Sequence, residues 1–293
     1  MRRCRIESLG TSPPRRGFRR WSALRHATVA GERCLAASRY RKEDVRVLVN
    51  AGVHRDGHVC EPAIAAYLQH ALGINVEFHG RRTLSFDLLN GGVGMLNAAH
   101  VVASLLLAGE VHAGMVVASE VNADRRPDPS YPYAPSGAAL LLDLSPSAER
   151  GFGPFVFETR EDHAGLCASA VDLTVQHGLL RVTRGEGLEE AFLQALAAAG
   201  PRALERDGLR REEVDLVVPP QVSPSFLSRL PSALGVPKEK VLDLTSELPD
   251  TLTTSTVLAF ERARASGRVG PGSKVLFLAV GSGVTAGAVT YRL

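Results

Sequence analysis

The residues that could do chemistry in this 293-residue chain gather around one stretch, LSFDLLNGGVGMLNAAHVVASLLLAGEVHAGMVVASE, from Leu84 to Glu120. A tight turn leading from a strand into a buried helix is where many enzymes mount a nucleophile. It exposes one side chain and points backbone N–H groups at the same spot. Here the apex offers only Gly91, Gly92 and Gly94, so the turn supplies N–H donors and no side-chain nucleophile. Two thiols, Cys60 and Cys167, are substitutes in principle. Neither sits at a strand-to-helix turn or near a histidine in motif spacing, so both read as packing or exposed thiols. His54, His58 and Cys60 form a His-x-x-x-His-x-Cys run in a loop without a fourth ligand, and no metal site is expected. His100 and Asn97 share a helix face at i, i+3 spacing, which suits a satisfied polar pair in a core or dimer contact. Asp87 reads as a structural strand carboxylate, and no cofactor motif is present.

These groups need elements to hold them. Around the glycine turn the pattern predicts a buried strand from Leu84 to Leu89, a helix from Met95 to Leu107 that is apolar on nearly every side, and a second buried strand from Gly114 to Ser119. Before it come a strand at 4–10, a Pro/Arg loop SPPRRGFRR, a helix from Trp21 to Ala37 and a buried strand VRVLVNAG at 45–52. The polar loop VHRDGHVC then leads to a helix EPAIAAYLQHALG, punctuated by Pro62 and Gly73. After a proline-rich loop at 122–135, SGAALLLDLS forms a strand.

Beyond Gly151 the order repeats. A strand at 155–160 precedes a polar excursion at 161–184. Then follow a helix from Leu188 to Arg206, a strand at 214–221, a helix SPSFLSRLPSALG, a strand VLDL at 241–244 and a helix from Thr251 to Ala265. KVLFLAVGSG and TAGAVTYRL close the chain as a strand pair. VRVLVNAG corresponds to VDLVVPPQ, GMVVASE to VLFLAVGSG, and SGAALLLDL to TAGAVTYRL. An α/β unit duplicated in this way, residues 1–150 and 151–293, with each half too thin to close its own core, predicts one body of five layers, αβαβα, built from two βαβαβ halves.

Composition narrows the function. With 45% hydrophobic residues the chain is globular, and no run approaches the roughly 20 apolar residues that span a bilayer. The arginine-rich start lacks the apolar core of a signal peptide, which points to the cytoplasm and to no membrane partner. Four cysteines lie far apart, so neither a disulfide framework nor a zinc site is indicated. The net charge of +3 hides an asymmetry: residues 1–42 hold twelve Arg or Lys against two Glu, about +10, leaving the remainder near −7. Without aromatic interleaving or a nucleic-acid motif, the basic stretch reads as a solvated face and not as a nucleic-acid site.

The layout resembles the thiolase superfamily, specifically ketoacyl synthase III and the thiolases that condense two acyl chains head to head. The shared features are the strand–glycine turn–helix unit after Asp87, the helix phrase EPAIAAYLQHALG, HAGLC at 163–167, and AVGSGVTAGA near the C-terminus, where ketoacyl synthases carry a triple-glycine loop. The resemblance implies the thiolase fold, acyl thioesters carried on coenzyme A or an acyl carrier protein, and a Cys-His-Asn triad. In the family motif Asp-x-x-x-x-Cys-x-Gly, counted from Asp87, the cysteine position is Gly92. The histidine of Pro-His-Gln corresponds to Pro220, and the asparagine of Gly-Asn-Thr-Ser to Asp250. No histidine follows His177 and no asparagine follows Asn122, so no shift of register restores either residue. A Thr-Gly-Ile segment that helps to hold coenzyme A in the family is missing before residue 45. The resemblance also implies oxyanion donors at the backbone of Gly92 and Ser282, and matches Glu61 to a glutamate that reaches across the dimer as a base. Read from its surroundings alone, Glu61 is a first-turn carboxylate favoured by the helix dipole.

Condensation needs a thiolate to accept the acyl group and donors to stabilise the enolate formed on decarboxylation. Glycine cannot be acylated, proline has no donor, and an ionised aspartate repels an enolate. Loss of members of such a triad costs factors of about 10⁴ or more. The leading expectation is therefore a non-condensing subunit that pairs with a catalytic homologue, as cysteine-free synthases of this superfamily do, in a homodimer or heterodimer. The alternatives are an acyltransferase or thioester hydrolase working without an acyl-cysteine, and a non-catalytic acyl binder.

Overall fold

The computed structural model describes residues 2–14, 21–76 and 82–293. The first half runs β1 (Cys4–Ser12), α1 (Ala23–Ala36), β2 (Val47–Asn50), α2 (Ile64–Leu72), β3 (Leu84–Asp87), α3 (Gly94–Leu107), β4 (Ala113–Glu120) and β5 (Ser136–Leu144). The second runs β6 (Gly151–Phe152), β7 (Val156–Thr159), β8 (Cys167–Asp172), β9 (Leu179–Arg184), α4 (Leu188–Arg206), β10 (Leu216–Val218), α5 (Pro224–Leu234), α6 (Ser255–Ala265), β11 (Lys274–Gly281) and β12 (Thr285–Arg292). Most of the expected Pro/Arg loop lies outside the described residues.

One sheet has the order β1-β5-β4-β2-β3, and the other sets β10, β11 and β12 beside β6 and β7. The pairings match half for half. β2 is parallel to β4 as β10 is to β11, and β4 is antiparallel to β5 as β11 is to β12. The period-2 alternation of each strand then builds the layers. In β2, Val47 and Val49 face the centre with α3 and α6, while Leu48 faces α1 and α2 on the outside. In β11, Val275, Phe277 and Ala279 face the same centre, while Leu276, Leu278 and Val280 face α4 and α5. Two sheets, two outer helix layers and a central helix layer make the five layers that the duplication predicts.

Three expected elements differ. The stretch from Leu84 to Leu89 is not a buried strand: β3 stops at Asp87 and lies at a sheet edge, with Leu84 59% and Leu89 50% exposed. VLDL is reduced to a single bridge, Val217 to Val241, because Leu242 donates to Val217 and the chain then turns away. The polar excursion at 161–184 contains an antiparallel hairpin, β8 with β9. Its outward alanines and serine gave the sequence no strand-like apolar face.

Candidate active site

The glycine turn is held from both sides. Asp87, at the end of β3, accepts the N–H groups of Ile64 and Ala65 at 2.9 Å each, capping α2, and pairs with Arg55 at 2.9 Å. The carboxylate is thus spent on unsatisfied helix N–H groups and a guanidinium. Asp56 does the same for α1, accepting from Ala23 and Leu24. After β3, Asn90 donates to Asn97 at 2.8 Å, Gly91 takes a positive φ of 49°, and α3 starts at Gly94.

The end of β11 runs directly against this turn. A β-carbon placed on Gly92 would overlap the backbone carbonyl oxygen of Val280 and meet Leu252 Cδ1 at 3.6 Å. That obstacle is main chain, so it cannot swing aside as a flexible side chain can. Gly92 borders an apolar pocket with Met95, Leu96 and Phe277, whereas Ser282, the other expected oxyanion donor, lines a second cavity. The two segments touch along their backbones: a β-carbon on Gly91 would lie 3.0 Å from the Ser282 nitrogen, and one on Gly281 would lie 3.2 Å from the Gly92 nitrogen.

The second cavity collects Pro220, Asp250 and Ser282. Gln221 fixes the loop behind Pro220: its side chain donates to the carbonyls of Pro219 and Leu242 and accepts from Leu244, and its N–H donates to Ser255. The Asp250 carboxylate accepts a hydrogen bond from the N–H of Leu252 at 2.9 Å, while its backbone carbonyl accepts from Ala134. Enclosure pushes the Asp250 carboxyl up to about 7, reinforced by the charge of Glu120 and opposed by the Leu252 N–H and Arg184. A carboxyl titrating there can exchange a proton at neutral pH.

Sequence spacing did not place the other members of this cavity. Cys167, at the base of the hairpin, lies under Ser282, whose hydroxyl donates to its sulfur at 3.5 Å. Tyr133 and Arg184 complete the wall. Beside it lies a buried network centred on Glu120, which is fully enclosed. Its carboxylate accepts from the N–H groups of Val53 and His54, from Thr253 Oγ1 at 2.6 Å and from the His54 ring at 2.7 Å. His54 also meets Ser169 at 3.2 Å and stacks on Tyr133. The available sequence signal was a glutamate ending a strand that is apolar up to Ser119.

The remaining candidates scatter. Glu61 is exposed, lies two residues ahead of the N-cap Ala63 and so outside the first turn of α2, and lines neither cavity; it is not the first-turn carboxylate expected. His58 bonds Asp124 at 2.7 Å and Cys60 is exposed, so neither converges with the buried His54. His100 stacks on Phe155 and does not pair with Asn97.

Comparison with known proteins agrees with this architecture. Residues 204–293 match the family described as 3-Oxoacyl-[acyl-carrier-protein (ACP)] synthase III C terminal. A Beta-ketoacyl-[acyl-carrier-protein] synthase III of Erythrobacter litoralis is 28% identical over 91% of this chain and 83% of its own length. A 3-oxoacyl-[acyl-carrier-protein] synthase III of Aquifex aeolicus superposes with a TM-score of 0.83 at 21% identity, covering 99% of this chain and 100% of that one. Xanthomonas campestris OleA, solved with bound lauric acid and lauroyl-CoA, gives 0.85 at 18%, covering 99% of each. The chain thus has the fold of the ketoacyl synthase III structures, and with its C-terminal match and its relatives over most of its length it is ketoacyl synthase III-like.

Proposed function

We propose that this protein takes part in acyl-thioester biosynthesis of the fatty acid or polyketide type as a non-condensing subunit of an active synthase. The acyl-thioester class follows from relatives named as ketoacyl synthases. The observation that carries the non-condensing part is the Val280 carbonyl standing where a cysteine at position 92 would need its β-carbon. Pro220 and Asp250, at the positions that resemblance gives to histidine and asparagine, add no enolate donor of the usual kind. A place for a partner subunit, whether a second copy or a catalytic homologue, is the outer edge of β3, where Leu84 and Leu89 are exposed. Acyl-coenzyme A or an acyl carrier protein would bring the acyl group. Among the described residues no helix is long and apolar enough to cross a membrane.

The test is to incubate the purified chain with acyl and malonyl thioesters, alone and with a catalytic ketoacyl synthase. No 3-oxoacyl product is expected from the chain alone, and a changed rate or chain length is expected from the mixture. Condensation by the chain unaided overturns the proposal.

A further inference from the structure

The cavity beside the closed turn contains its own thiol. We propose that Cys167 is an acyl acceptor, taking a short acyl group from a thioester by exchange, with Asp250 receiving the thiol proton. Four observations place the reaction there.

The Cys167 sulfur accepts a hydrogen bond from Ser282 Oγ at 3.5 Å, a donor suited to a developing thiolate. Asp250 lines the same cavity, and among the described residues its carboxylate is bonded only through one oxygen, to the Leu252 N–H, leaving the other oxygen available as proton acceptor. Tyr133, 8% exposed, also lines it, and among the described residues its hydroxyl makes no hydrogen bond. The hydroxyl is therefore free to donate to a group that arrives with the ligand, such as a thioester carbonyl oxygen. Arg184, Leu188 and Val222 line both this cavity and the open cleft outside it, which gives a route from the surface.

The step balances. The Cys167 sulfur attacks the thioester carbonyl carbon and forms a new carbon–sulfur bond as the bond to the carrier sulfur breaks. The Cys167 proton passes to the Asp250 carboxylate and then to the departing thiolate, giving S-acyl-Cys167 and a free carrier thiol. The cavity is small, which favours a short acyl group such as acetyl over a long chain. No carbon–carbon bond forms, so the step is compatible with a non-condensing subunit. It rests on the acyl-thioester reading above.

The test uses the full chain carrying Cys60→Ser, which removes the exposed thiol, with S-acetyl-N-acetylcysteamine as probe. Cys4 and Cys34 lie elsewhere in the core, and burial pushes the Cys34 thiol up to about 12, so neither competes. One acetyl group per chain is expected by intact mass, on the peptide containing Cys167, and it is lost in Cys167→Ala. Asp250→Asn should fold and load about 100-fold more slowly, without the rise in rate through pH 7 expected of the parent. Absence of the adduct, an adduct on another residue, or loading unchanged in either variant overturns the inference. If loading fails while the effect on a partner synthase persists, only this inference falls. Unaided condensation overturns the earlier reading instead.

Discussion

The backbone carbonyl of Val280 fills the space that a β-carbon on Gly92 would need. A glycine turn and a strand end, one from each half of the chain, have closed on each other at the point where resemblance places a catalytic cysteine. Restoring the side chain therefore requires moving main chain, and close-packed interiors resist that.

Gly92→Cys is expected to destabilise the fold by about 1–3 kcal/mol, as overpacking does, and to form no thioester at position 92. Gly165→Ala is the control: its β-carbon meets nothing within 4 Å, and a surface change of this kind stays within about 0.5 kcal/mol. Urea midpoints of the two variants read the difference. Condensing activity appearing in Gly92→Cys without loss of stability contradicts the closed-turn account.

Asp250 makes stability depend on pH with a definite sign. Its carboxyl is raised from the ordinary 3.8 to about 7 in the fold. Between about pH 4 and 7 the folded state holds a proton that the unfolded chain has released. The contribution is fully present below pH 4 and is lost as pH rises through 7. Asp250→Asn removes the dependence. It should be more stable than the parent at pH 8 by up to about 4 kcal/mol, with the difference vanishing near pH 4. Denaturant titrations at the two pH values measure it, and a gain equal at both places the cause outside this carboxyl.

Glu120 gathers four donors from two segments: Val53, His54 and Thr253 surround a carboxylate with no solvent exposure. Glu120→Ala leaves these donors unpaired and should cost about 3–5 kcal/mol. Glu120→Gln keeps the shape and part of the hydrogen bonding, so its loss should be smaller. Thermal unfolding of both variants checks the order. Equal losses would show that volume and not donor satisfaction sets the cost.

How much of this was legible depended on the range of the interaction. α4 occupies Leu188–Arg206 as its apolar period predicts, and the paired strands of the two halves follow from their matching runs, because both signals lie within a few residues. β8 was hidden because its alanines and serine face outward. The edge position of β3 was hidden because an apolar strand reads alike in the middle of a sheet and at an unpartnered rim. Cys167 and Ser282 stand 115 residues apart, and His54 and Glu120 stand 66 apart. Contacts at such separations are made by the stacking of layers, so no local spacing announces them, and the thiol read as packing turned out to line the cavity of the candidate site.

The edge of β3 offers the last prediction. Among the described residues its only strand neighbour is β2, which leaves the opposite row of backbone groups without a strand partner. Leu84 and Leu89 are each at least half exposed, as is Leu107 at the end of α3. Soluble chains protect such edges with charge, proline or a partner, and here the exposed residues are leucines. The edge should therefore be covered by another subunit in solution. Leu84→Lys with Leu89→Lys is expected to leave the circular dichroism spectrum unchanged, because both side chains already face outward, and to convert the assembly to monomer by light scattering. Under the proposed function the same double variant also loses its effect on a catalytic ketoacyl synthase. A variant that keeps both its assembly state and that effect puts the partner surface elsewhere on the molecule.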